Sequence, residues 1–136
     1  MKKLIVFFVL LGTLVSCSLG NDDSVNYHFE ILPIDSVDIP DEFVLGQTYP
    51  ITVYYTKPSG CYVFNDFYYV KDLNERTVAV INTVYDDQAC TQAAEQAEAT
   101  FNFMVNSNGT YVFKFWQGED EDGNDLYYIV EVPVVE

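Results

Sequence analysis

From Tyr27 to Val135 apolar and polar positions alternate with a period of two, in short runs rich in valine, isoleucine, threonine and aromatics and bounded by turn formers. Such runs suit pleated, half-buried strands. "YHFEILPI" at 27–34 predicts a first strand, broken by Pro33 and therefore placed at a sheet edge. "TYPITVYYT" at 48–56 predicts a second, with Tyr49, Ile51, Val53 and Tyr55 on one face. Five more follow: "CYVFNDFYYVKD", "RTVAVINTVYD", "AEATFNFMV", "TYVFKFW" and "LYYIVEVPVV". "ACTQAAEQAEA" at 89–99 mixes helix formers with a continuing alternation, which predicts a helical turn or irregular connector near Cys90 and a strand from about Ala97. No repeat of solenoid or propeller period is visible. About seven antiparallel strands and no long helix predict an all-β, two-layer sandwich.

"SNGTYVF" at 107–113 resembles the tyrosine corner of immunoglobulin-like domains, with Gly109 at the turn and Tyr111 two residues before the inward Phe113. The resemblance implies an immunoglobulin-like β-sandwich in the broad sense. Phe113 stands where antibody domains carry the second cysteine, and no tryptophan stands in the third strand, so immune-type recognition is not implied. The other reading is that Asn108-Gly109 turns a two-residue hairpin. Either reading leaves the chain all-β.

The start of the chain has a different pattern. Lys2 and Lys3 precede Leu4 to Ser16, a mostly apolar run that ends at "LVSC". This is the layout of an export signal. Thirteen helical residues rise only about 20 Å against a hydrocarbon core of roughly 30 Å, so residues 4–16 predict no membrane span. "LVSC" resembles the bacterial lipobox, in which the signal is cut before the cysteine and that cysteine is lipidated. The resemblance implies a signal peptide at 1–16, lipid on Cys17 and a tether at 17–26. Several acyl chains anchor far better than one, because each buried methylene contributes about 0.8 kcal/mol. "SLGNDDSVN" has little to bury and reaches roughly 15 to 18 Å as a flexible coil, which keeps the domain near its membrane. Asp22 and Asp23 resemble, slightly late, the acidic signal for surface export in lipoproteins of the Bacteroidota.

With Cys17 assigned to lipid, Cys61 and Cys90 remain, in an exported chain where disulfides persist. A disulfide between them is the expectation. Two free thiols or a metal site are the alternatives, and the metal lacks ligands: His28 is the single histidine and no C-x-x-C is present. Removal of residues 1–16 takes away two of the six basic residues and none of the 21 acidic ones, leaving 4 against 21, or net −17. Nucleic acid is excluded as a partner, since Lys57, Lys71, Arg76 and Lys114 are too few and too scattered to neutralise phosphates.

"GEDEDGNDLYY" places Glu119, Asp120, Glu121, Asp122 and Asp125 around Gly123. Close carboxylates beside a glycine suit a calcium loop, yet the EF-hand offsets are missing, and a solvated hairpin that protects a sheet edge explains the stretch better. No resident metal or cofactor is expected. Eleven tyrosines, ten phenylalanines and one tryptophan exceed what a core of this size needs. "DFYYV" and "LYYIV", with Trp116, predict an exposed face for sugar stacking or protein contact. Catalysis has little to stand on, because the histidine lies beside the tether and spacing alone nominates no carboxylate pair. "DSV" at 23–25 and 35–37 resembles the O-glycosylation acceptor of Bacteroidota, which would modify Ser24 and Ser36. "NGT" at Asn108 matches the N-linked acceptor, but a turn explains it better in a bacterial chain.

The arrangement from "PSGCYVF" to "ACTQ" resembles that of flavobacterial lipoproteins and brings no activity with it. The expectation is a non-enzymatic binding module on an outer-membrane lipid anchor, with its domain at 27–136. Two other roles fit the same sequence. A glycan-binding accessory module predicts an exposed row of tyrosines with Trp116, and an envelope-structural or inhibitor-like protein predicts a protruding loop at Pro58 to Cys61.

Overall fold

The computed structural model describes residues 24–136. The segments read from the sequence as a signal peptide at 1–16 and as a tether from Cys17 lie, as far as residue 23, outside the described residues.

The chain forms the expected all-β, immunoglobulin-like sandwich, with ten strands among the described residues where about seven were predicted. They are β1 (Tyr27–Leu32), β2 (Ile34–Asp38), β3 (Phe43–Val44), β4 (Thr48–Lys57), β5 (Tyr62–Asp72), β6 (Glu75–Tyr85), β7 (Glu95–Met104), β8 (Tyr111–Glu119), β9 (Asp125–Val132) and β10 (Val134–Val135). One layer is a five-stranded sheet of β1, β5, β6, β8 and β9; the other is β2-β4-β7, and β3 and β10 form a separate pair. Most neighbours run antiparallel, but β6–β8 and β3–β10 are parallel.

Two prolines account for part of the larger strand count. A proline donates no ladder hydrogen bond, so each one releases the chain from its sheet. Pro33 divides the first predicted strand: β1 pairs with β6 in the five-stranded sheet, whereas β2 pairs with β4 in the other. Pro133 divides "LYYIVEVPVV" in the same way, with β9 on β8 and β10 on β3. The Pro133 carbonyl then accepts from the Phe43 N–H at 2.9 Å.

The segment near Cys90 is the irregular alternative and contains no helix; β7 begins at Glu95. The hairpin reading of Asn108-Gly109 is overturned. β7 belongs to the β2-β4-β7 sheet and β8 to the five-stranded sheet, so residues 105–110 cross between layers. The tyrosine corner stands in its place: the Tyr111 hydroxyl donates to Asn106 Oδ1 at 3.0 Å and accepts from the Asn106 N–H at 3.3 Å. Tyr49 does the same between β3 and β4, accepting from the Val44 N–H at 2.9 Å. Tyr111→Phe keeps the ring and removes both bonds, with an expected loss of about 1 to 3 kcal/mol, measurable as a fall in the urea midpoint.

The core lies between the layers. Ile51, Val53 and Tyr55 of β4 enter it as the alternation requires, facing Val78 and Val80 of β6 and Phe113 and Phe115 of β8. Phe43 occupies one end, with its ring centroid 5.0 to 6.1 Å from those of Tyr49, Phe103, Tyr111 and Phe113.

Candidate functional site: an aromatic row on the five-stranded sheet

The outer face of the five-stranded sheet carries apolar side chains where a free-standing sandwich usually presents polar ones. Residues alternate between its faces, so register decides which point outward. The side chains directed away from the core are Tyr27, Phe29 and Ile31 on β1, Tyr68 and Val70 on β5, and Ile129 on β9; Phe29 is 58 % exposed and Ile129 56 %.

Within this face, one row crosses four strands. Tyr127 of β9 pairs with Trp116 of β8. Val78 pairs with Phe115, which sets the next residues, Ala79 and Trp116, side by side on β6 and β8. Ala79 in turn pairs with Tyr68 of β5. Three aromatic rings therefore surround one small residue, and Ala79, only 3 % exposed, floors a hollow of about 300 Å³ also lined by Ile31, Glu119 and Asp125. That volume lies at the lower end of small-molecule sites.

Two irregularities build the site. On β8 the register shifts between Trp116 and Glu119, with Gly118 at φ +101. The extra residue turns Glu119 to the same side as Trp116, which strict alternation would prevent, and a glycine takes this backbone conformation without strain. On β5 a bulge between Phe64 and Asp66 resets the alternation, so Tyr68 points outward while Phe67 and Tyr69 point between the sheets.

Polar contacts hold the rings. Trp116 Nε1 donates to Asp125 Oδ1 at 3.0 Å, which fixes the indole plane and leaves a carboxylate at the rim. Lys114 Nζ lies 4.5 Å from the Tyr127 ring centre and 3.3 Å from Glu75 Oε1. The cation thus braces one end of the row.

The acidic loop divides its carboxylates between two roles. Asp120 is turned onto its own turn, accepting from the N–H groups of Asn124 and Asp122, both at 2.9 Å. These bonds, those from Asn124 foremost, hold its carboxyl below the usual carboxylate range. Glu119 and Asp125 instead face the hollow. Among the described residues no three histidine, cysteine, aspartate or glutamate side chains approach closely enough to hold a metal ion.

The sequence had nominated "DFYYV", "LYYIV" and Trp116, and the fold brings one tyrosine of each pair to the tryptophan. Tyr69 and Tyr128 fall on the opposite face by register. Ala79 and Ile31 carry no signal in the sequence, and Glu119 and Asp125 stand out there only as members of the acidic loop, not as part of the aromatic face. The one signal for the turn of Glu119 toward Trp116 is Gly118 inside a strand pattern, which marks a bulge.

The other nominated residues lie elsewhere. Cys61 and Cys90 form a disulfide with Cα atoms 5.4 Å apart, and the Gly60 N–H donates to the Thr91 carbonyl at 2.9 Å. The Pro58–Cys61 loop is thereby stapled to the 88–91 segment. Ser24 precedes β1 and Ser36 lies on β2, both exposed, while Asn108 sits in the crossover between β7 and β8. Cys17 is outside the described residues. His28 Nδ1 is 3.0 Å from Asp86 and Nε2 is 3.7 Å from Glu30. The hydrogen bond to Asp86, more than any other influence, raises the imidazole above its ordinary pKa.

No curated protein and no solved structure matches the chain. The ORF11 beta-sandwich domain family matches residues 51–132, a span running from β4 to the end of β9 that includes Tyr68, Ala79, Trp116 and Tyr127. The chain belongs to the family described as the ORF11 beta-sandwich domain.

Proposed function

We propose that this protein is a bacterial envelope lipoprotein, cut before Cys17 and anchored there by lipid, whose domain binds a neutral glycan on the outer face of its five-stranded sheet. The row Tyr127–Trp116–Ala79–Tyr68 carries this reading. Pyranose rings have apolar faces that stack on aromatic rings and hydroxyl edges that seek acceptors. The three rings supply the first contact, and Glu119 and Asp125 at the rim supply the second. The net charge of −15 for the whole chain repels anionic polymers, so an uncharged sugar is favoured. Binding here is contact without turnover. The lipobox-like "LVSC" and the short acidic tether support an outer-membrane anchor, with the domain displayed close to the lipid surface.

Trp116 is the only tryptophan of the chain, so its emission reports directly on the site. Titration with neutral oligosaccharides drawn from a glycan-array survey should give a saturable change in that emission. Trp116→Ala should weaken calorimetric binding by more than about tenfold, as truncation of a central aromatic anchor commonly does. Far-UV circular dichroism should stay unchanged, because Trp116 is only half-buried. An array without a hit, together with flat emission, would overturn the glycan reading and turn the search toward a protein partner. The native protein's intact mass should carry acyl chains on Cys17; an unmodified cysteine would remove the anchor.

A further inference from the structure

A second cleft, unrelated to the aromatic row, opens between the sheets. β5 and β7 are edge strands facing each other across the sandwich, each paired on one side only. Their inward side chains leave a cavity of about 530 Å³, walled by Phe67 and Tyr69 of β5 and Phe101 and Phe103 of β7. Phe101 lies with its ring centre 5.1 Å from Phe67 and 5.8 Å from Tyr69.

Arg76 closes one end, 3 % exposed. Both hydrogen bonds of its guanidinium leave from Nη1 and go to carbonyls, Leu73 O at 2.7 Å and Glu75 O at 3.0 Å. The guanidinium carbon lies 5.2 Å from the Tyr111 ring centre and 5.7 Å from that of Phe103. Carbonyls and ring faces stabilise the cation without neutralising it. Among the described residues, ion pairs join His28 to Glu30 and Asp86 and Lys114 to Glu75, and none involves Arg76. In a chain with 21 acidic and six basic residues, a nearly buried arginine without a carboxylate is unexpected, since buried charges are normally paired. Lys71 pairs with Arg76 across the β5–β6 ladder and adds a second cation at the exposed mouth. The one carboxylate in the lining, Asp66, lies five residues away along β5, and its Oδ1 accepts the Phe67 N–H.

We infer that this cleft binds a small amphipathic carboxylate, its anionic head on Arg76 and Lys71 and its flat apolar body against the ring cluster of Phe67, Tyr69, Phe101 and Phe103. Arginine is suited to this role because its planar fork meets a carboxylate with two parallel hydrogen bonds. The volume falls within the range of small-molecule sites. The ligand supplies the counter-charge that the protein's own acids do not.

The test uses the full chain with 2-naphthoate and its neutral counterpart 2-naphthalenemethanol, followed by calorimetry and backbone amide shifts. Naphthoate should bind one to one, at least about tenfold more tightly than the alcohol, with shifts confined to residues 66–71, 76 and 101–106. Lys71→Glu, an exposed change that spares the core, should weaken naphthoate several-fold and leave the alcohol unaffected. Equal affinity for the two probes, no binding at millimolar naphthoate, or shifts centred on Trp116 would each overturn the inference. Arg76→Lys serves as the second variant: it keeps the charge and loses the fork, so affinity should fall while the charge preference persists.

Discussion

Phe43→Ala is expected to destabilise the domain by about 3 to 5 kcal/mol, a large share of the roughly 5 to 15 kcal/mol that holds a typical domain folded. Phe43 is fully buried and touches four other aromatic rings from three different strands. Its removal costs the transfer energy of the ring and leaves a cavity that rigid neighbours fill only partly. The consequence reaches the strand pair β3–β10. β3 pairs with β10 through the Phe43 N–H and the Leu45 N–H, which donate to Pro133 O and Val135 O. Without the ring, the two-residue pair loses the anchor that holds it against the core. The urea midpoint should fall sharply, and exchange of the residue 43 and Leu45 amides, the donors of this pair, should accelerate before the rest of the sheet. A loss below about 1 kcal/mol would mean that this end of the core collapses around the gap, contrary to the packing described.

The second large effect concerns the staple. Replacing Cys61 and Cys90 together by serine should cost about 3 to 4 kcal/mol, because the bridge joins residues 29 apart and closure of such a loop removes conformational freedom from the unfolded chain. The serines lie among partly exposed neighbours at the end of β5, so little core packing is lost with the sulfurs. Urea denaturation of the oxidised protein, the reduced protein and the double serine variant separates the contributions. The reduced and serine forms should coincide, both well below the oxidised protein. If reduction left the midpoint unchanged, residual structure in the unfolded state would already constrain the loop. The aromatic row crosses β6 at Ala79, six residues from Cys61's neighbour Tyr85, so Trp116 emission should be as in the oxidised protein wherever the variant is folded.

Much of the strand pattern was legible because alternation and turn chemistry are local. Tyr49, Ile51, Val53 and Tyr55 share a face for no reason beyond the pleat of a strand. Pro33 was correctly read as a break, but a missing N–H says only that a ladder stops, not which sheet receives the next residues. Pro133 was not read as a break at all, because the valines beyond it continue the pattern. The hairpin reading of Asn108-Gly109 could not be separated from a tyrosine corner by sequence, since both require a turn there. What distinguishes them is whether the flanking strands pair, and β7 and β8 do not.

The aromatic row was half legible for a related reason. In "DFYYV" and "LYYIV" adjacent tyrosines must point to opposite faces, but which one faces outward depends on register. On β5 that register follows a bulge at Asn65, and on β8 the turn of Glu119 toward Trp116 follows a bulge at Gly118. Ala79 acquires its role only as the small residue between large ones on neighbouring strands.

By itself the sequence determined the all-β class, the pairing of Cys61 with Cys90 and the strand character of each run, because composition, spacing and period two act over a few residues or through covalent chemistry. The tertiary structure alone decided which strands share a sheet, which tyrosine of each pair meets Trp116, and that Arg76 is buried beside aromatic rings without a carboxylate. Those outcomes depend on contacts between residues distant in sequence, where a shift of one position exchanges the inner face for the outer.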